Sequence, residues 1–146
     1  MASGDIVIDA QIRAEIEELV IEHAYLLDHH QSDKLAELYT EDGKMHGIGP
    51  TQQGRAALLE YGKKRAQMKQ RTARHVVSNI RLVEDGPDRI RGALVITLFR
   101  FDGDKMGTAD PVAVADANDV YVKKNGRWRI AERALSLAFE SESHRK

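Results

Sequence analysis

Ala73-Arg74-His75-Val76-Val77-Ser78-Asn79-Ile80-Arg81-Leu82-Val83, closed by Glu84-Asp85-Gly86-Pro87, is where the chain changes its period. The run is rich in β-branched residues and ends on a strong turn signal, so it reads as a strand. Three more such runs follow. Arg89 to Phe101 is closed by Asp102-Gly103-Asp104, and Val112 to Lys123 by Lys124-Asn125-Gly126. The Asn-Gly pair is a hairpin signal. Arg127 to Phe139 is the last strand, and the polar tail from Glu140 to Lys146 is expected to fray.

Upstream the spacing is helical. Ile12, Ile16, Leu19, Val20, His23 and Leu27 share one stripe, with Asp9 as N-cap and an end near His29. Ser32 is expected to cap a short second helix containing Leu35, Ala36 and Leu38. Thr40-Glu41-Asp42-Gly43 reads as a turn, Lys44 to Ile48 as a short strand, and Gly49-Pro50 as a further turn. Gly54 precedes a third helix, Arg55 to about Met68, with Leu58, Leu59 and Tyr61 as its apolar members. Helices first and long consecutive strands after them predict an α+β fold. Its mostly antiparallel sheet curls around the helices and leaves a conical interior suited to a small ligand.

The totals fit one globular domain over residues 1–146: apolar residues are 42% and charged residues 31%, which argues against disorder. A formal net charge of -1 gives no basic field for nucleic acid. Lys63-Lys64-Arg65, with Lys69, Arg71 and Arg74, reads as a solvated helix face. With no cysteine, disulfides, thiolate metal sites and cysteine nucleophiles are excluded. Met1 to Asp5 lacks the pattern of a signal peptide, and no stretch is long and apolar enough to span a bilayer. A cytoplasmic protein without a membrane partner is the expectation.

Four residues could carry chemistry. By strict alternation His75 shares a face with Val77, Asn79 and Arg81, while Val76, Ser78, Ile80 and Leu82 form the more apolar face. His75 is therefore either a solvent-facing or structural histidine, or a base in a partly polar cavity. Asp28 sits at the border of the buried helical stripe, near a helix end where the dipole disfavours an acid. It caps the following turn, or it orients His75 as a carboxylate orients a catalytic imidazole. His23 lies on the apolar stripe, as a satisfied core residue or beside Asp28 in a cavity. Arg133 falls by alternation with Arg127, Arg129, Ala131, Leu135 and Leu137. It either stabilises developing negative charge or pairs with Asp116 or Asp119. No metal site is expected, since the histidine spacings match no ligand motif.

Several segments in this order resemble one superfamily. They are Tyr39-Thr40-Glu41-Asp42-Gly43, Gly54 at the third helix, Arg74 to Asn79, and Asn125-Gly126-Arg127-Trp128-Arg129-Ile130 with Arg133. Together they resemble the SnoaL-like branch of the nuclear transport factor 2-like fold, over roughly residues 9–140. Within it the chain is similar to the scytalone dehydratase and hexachlorocyclohexane dehydrochlorinase groups. That resemblance implies a His–Asp dyad of His75 and Asp28, with Arg133 lining the same site. The dehydrochlorinase has a lysine in the first helix where this chain has His23, and many relatives have a tyrosine. This departure bears on substrate and leaving group.

The implied activity is that of a lyase or isomerase, without cofactor, acting on a small, mostly apolar organic molecule. In it His75 abstracts a proton from carbon, Asp28 supports the imidazolium, and Arg133 and His23 bind or polarise the group that departs or enolises. The superfamily also implies two alternatives: a small-molecule binding protein without chemistry, and an assembly subunit like the small subunits of ring-hydroxylating dioxygenases. A homodimer through the open sheet face is expected on the same basis.

Overall fold

The computed structural model describes residues 7–145. Helix α1, Ala10–Asp28, starts where the extended Asp9 accepts a hydrogen bond from the Ile12 N–H at 2.9 Å. Its stripe of Ile16, Leu19, Val20, His23, Leu26, Leu27 and Asp28 is buried. A 3-10 helix, Ser32–Leu38, follows. Ser32 does not cap it. Instead its hydroxyl donates to the Gly62 carbonyl at 2.8 Å, tying the 3-10 helix to α2, Arg55–Ala66. The two helices approach so closely that a Cβ on Gly62 would lie 1.9 Å from the Ser32 carbonyl oxygen.

Among the described residues, six strands form one curved, unclosed sheet in the order β2-β1-β6-β5-β4-β3. They are β1 Tyr39–His46, β2 Gln52–Gln53, β3 Arg71–Glu84, β4 Arg89–Asp102, β5 Ala113–Lys124 and β6 Arg127–Glu140. Every pairing is antiparallel except β1 with β6. The expected turn at Thr40 to Gly43 is not a turn. These residues belong to β1, in a register shift between Tyr39 and Lys44 against β6. The Thr40 hydroxyl donates to Asp42 Oδ1 at 3.0 Å, so turn-type residues satisfy one another inside a strand irregularity. The tail also departs from expectation, forming a short helix, α3, Glu142–Arg145.

Two of the bulges decide which way the candidate residues face. In β3, Ser78 pairs with Val95 but Arg81 pairs with Ala93, so Asn79 and Ile80 together oppose Leu94. Asn79 takes φ 55°, a left-handed conformation that asparagine tolerates. Alternation is therefore reversed beyond Ser78. His75 and Val77 face inward before the bulge, and Ile80 and Leu82 face inward after it; Val77, Ile80 and Leu82 pack on the core. The expected grouping of His75 with Asn79 and Arg81 fails for this reason. In β6, Ile130 pairs with Tyr121 and Glu132 with Val120, which leaves Ala131 as the extra residue. Trp128 and Ile130 are inward before it, and Arg133 and Leu135 after it. Arg133 does not share a face with Arg127 and Arg129.

The core lies between α1, the helical layer and the sheet, with Ile16, Val20, Leu35, Tyr39, Leu58 and Ile90 all fully buried. Among the described residues no helix is long and apolar enough to cross a membrane.

Gly62→Ala is expected to lower stability by about 1–3 kcal/mol, because a methyl group must displace a backbone carbonyl. Urea unfolding of the variant against wild type measures the loss.

Candidate active site

Asp28 is the last residue of α1, and the helix end leaves it near unpaired carbonyls that disfavour a carboxylate. Two donors from one residue of β3 compensate. The His75 backbone N–H donates to Asp28 Oδ2 at 2.9 Å, and His75 Nδ1 lies 2.6 Å from Oδ1. The carboxylate accepts, so Nδ1 carries the proton when the ring is neutral. Nε2 then holds a lone pair, and no described residue hydrogen-bonds it. The Asp28 side chain is 8% exposed and the His75 side chain 21%, so the acid is sequestered behind the imidazole.

A second polar group is built around Arg133, which is buried on β6. Its Nε and Nη2 donate to Asp119 Oδ1 and Oδ2 of β5 at 2.9 and 2.8 Å, a bidentate pair. The Tyr121 hydroxyl also donates to Asp119 Oδ2, at 2.7 Å. Gly92 on β4 leaves room for that ring, since a Cβ there would meet the Tyr121 ring at 2.7 Å. Burial alone would lower the Arg133 pKa, but the charge and hydrogen bonds of Asp119 raise it, so the guanidinium stays charged. Burial raises the Tyr121 pKa, and the Asp119 charge raises it further.

His23 connects this group to α1. Arg133 Nη1 lies 3.4 Å from His23 Nδ1, and His23 Nε2 lies 2.9 Å from the Tyr39 hydroxyl. Arginine can only donate, so Nδ1 is the acceptor and Nε2 carries the proton. Burial, and then the Arg133 charge, hold the His23 pKa well below the usual 6.5. His23 is thus a neutral linker with both ring nitrogens engaged. Burial likewise raises the Tyr39 pKa, leaving its hydroxyl neutral.

His75, His23 and Arg133 line one cavity of about 570 Å³. Its walls are mainly apolar, including Leu27, Met45, Ile96, Leu98 and Leu135. The inward positions Ala113 and Ala115 on β5 are small, and this is where the interior stays open. Asp28, Asp119 and the two tyrosines stand behind the lining side chains. Among the described residues no cluster of three or more His, Asp or Glu is placed to hold a metal ion.

Residues 9–134 match the SnoaL-like domain family. The chain belongs to that family. Solved structures agree on the fold of this SnoaL-like domain. A candidate scytalone dehydratase from Novosphingobium aromaticivorans superposes with a TM-score of 0.77 and 21% identity, covering 89% of this chain and 86% of that one. A nuclear transport factor 2-like protein with a cystatin-like fold, from the same organism, gives 0.74 and 22%, covering 96% and 97%. A Catenulispora acidiphila protein in complex with S-DNPA gives 0.74 and 20%, covering 88% and 95%. No curated protein matches this SnoaL-like chain significantly.

The four residues singled out in the sequence are thus placed in two groups around one cavity. The partner of Arg133 is Asp119, not Asp116, which faces outward. Tyr39 and Tyr121 were not anticipated in the site. A signal for Tyr121 existed, because Asp119 and Tyr121 are two apart on a strand, and alternation puts them on one face. Arg65 was also misread. It is 7% exposed, not solvated, and follows Leu58 and Gly62 at helical spacing on the buried stripe of α2.

His23 makes stability depend on pH. Below about 6.5 an unfolded chain protonates this histidine while the folded chain keeps it neutral, so the unfolded state binds more protons and acid destabilises. The expected slope is a gain of up to about 1.4 kcal/mol per pH unit as pH rises toward 6.5. His23→Gln, which can accept from Arg133 and donate to Tyr39, should flatten the curve below pH 6.5. Urea unfolding of both proteins from about pH 4.5 to 7.5 checks this; parallel curves would contradict it.

Proposed function

We propose that this SnoaL-like protein is a cofactor-independent lyase or isomerase that removes a proton from carbon in a small, mostly apolar organic molecule. The observation that carries the reading is His75, held at Nδ1 and at its backbone by Asp28, with Nε2 unpaired beside an apolar cavity. Nε2 takes the proton, and the electron pair of the broken C–H bond moves into an adjacent carbonyl or expels a leaving group. Asp28 stabilises the imidazolium that results. Such a base typically contributes about 10²–10⁴-fold.

Arg133 supplies the second element. Three of its five N–H groups point to Asp119 and His23, which leaves donors for an oxygen that gains charge. Because Asp119 balances its charge, Arg133 acts as a fixed dipole more than as a net cation. A preorganised donor of this kind contributes about 10²–10³-fold. His23 holds Arg133 in place and keeps its own donor on Tyr39, so it orients the group without binding substrate through a free N–H.

The open cavity supports a small-molecule role over an assembly subunit, whose interior needs no such space. The ligand complex of the Catenulispora acidiphila neighbour supports the same view. A carrier without chemistry would use an identical cavity, so exchange must be measured. In D₂O, wild type should catalyse deuterium exchange or turnover on at least one member of a panel of enolisable ketones and β-hydroxy or β-halo compounds. His75→Ala should lose about 10²–10⁴-fold, and Asp28→Asn should lose activity with binding little changed. Equal ligand binding by wild type and His75→Ala, with no exchange by either, would establish the carrier instead.

Self-association through the outer sheet face belongs to the same proposal. Val76, Thr97, Val114 and Phe139 form one cross-strand row there, with Val76 48% and Phe139 71% exposed. Sedimentation should give a dimer for wild type and a monomer for Val76→Asp; a wild-type monomer would contradict this.

A further inference from the structure

The cavity has a second polar end that the proton-transfer chemistry does not use. Arg65 of α2, Arg71 of β3 and Arg100 of β4 all line it. Arg65 is 7% exposed, and its buried Nη1 has no hydrogen-bond partner. No other Arg65 nitrogen bonds a described residue either. A guanidinium nitrogen withdrawn from water without a partner is costly, and a native fold retains one where something else supplies the acceptor.

The neighbours do not supply it. Asp102 gives both its oxygens to Arg71, in a bidentate pair at 2.7 and 3.0 Å. Among the described residues Arg100 makes one side-chain hydrogen bond, between Nη2 and His144 Nδ1 at 3.4 Å. Glu60, the acid in the lining, faces Lys64 at 3.6 Å. Burial, followed by the charge of Arg71, lowers the pKa of both Arg65 and Arg100; Asp28 opposes this at Arg65 and Asp102 at Arg100, without reversing it. This end of the cavity therefore holds unbalanced positive charge beside apolar walls.

Strand geometry relates it to the dyad. Arg71, Ala73 and His75 alternate onto the inner face of β3, and Arg100 pairs with Ala73. At about 3.3 Å per residue, His75 stands roughly 7 Å along the sheet from the level of Arg100 and roughly 13 Å from Arg71. A molecule with one ring and a short chain bridges that interval.

We propose that Arg65, Arg71 and Arg100 form an anion subsite, and that the molecule acted on by His75 carries a carboxylate at the end remote from the proton it loses. Arg65 and Arg100 bind the carboxylate, with Arg71 fixed by Asp102 as the adjoining wall. The assignment of the carboxylate to a substrate rests on the proton-transfer reading; the subsite itself does not.

Calorimetry with 3-phenylpropionate and its uncharged amide tests the subsite separately from chemistry. Wild type should bind the acid about 10–100-fold tighter than the amide, the range for charge-assisted hydrogen bonds. Arg65→Met and the more exposed Arg100→Met should each erase most of that preference, with melting curves showing that they fold. His75→Ala should keep it. Absence of a preference in wild type would overturn the proposal, as would its survival in both arginine variants. Loss in His75→Ala alone would also overturn it, by placing the anion on the imidazole. A preference that behaves as expected in a protein without exchange activity would leave the subsite standing and the proton-transfer reading refuted.

Discussion

A carboxylate buried at the C-terminus of a helix is a poor arrangement until something donates to it. Asp28 solves this with both donors of a single residue, the backbone N–H and Nδ1 of His75. Helix α1 is thereby fixed to β3 at one point, and the imidazole is fixed in tautomer and direction. The rest of the interior is arranged about that point. Leu27 and His23 on the same helix become cavity wall, and the inward face of β3 becomes the surface they look across.

Both polar groups of the interior follow one plan. A buried aspartate stands behind a cationic or basic side chain that reaches the cavity: Asp28 behind His75, Asp119 behind Arg133. Pairing removes the penalty of an isolated buried charge, and the second-rank groups hold the front ones in one geometry. His23 and Tyr39 extend the Arg133 group back to α1 and β1 with neutral partners only. Keeping His23 neutral costs stability in acid, a cost the fold accepts in exchange for a fixed Arg133.

Much of this was legible in the residues. The helical stripe through Ile16, Leu19, Val20 and His23 fixed α1 and its N-cap Asp9 closely. The β-branched runs and the Asn125-Gly126 turn located the long strands. Asp28 stood out because its position at a helix end demanded a partner. What failed was strict alternation. A bulge adds one residue and reverses the faces beyond it, and neither Asn79 nor Ala131 announces itself as the extra one. Strict alternation therefore groups His75 with Arg81, on a face that could meet water or a cavity, and Arg133 with Arg127 and Arg129. Arg65 departs from expectation for another reason: a basic run reads as one solvated face, although helical spacing puts Arg65 in line with Leu58 and Gly62. The Thr40 to Gly43 segment was read as a turn because local composition does not reveal a parallel partner strand far along the chain.

The account turns on the proton of His75. Nitrogen-15 NMR of the histidine side chains near neutral pH, in wild type and Asp28→Asn, observes it directly. The predicted result is that the neutral ring of His75 carries its proton at Nδ1, with Nε2 bare, and that the variant loses that fixed tautomer. A His75 protonated at Nε2, or one whose tautomer ignores the change at Asp28, would contradict the account.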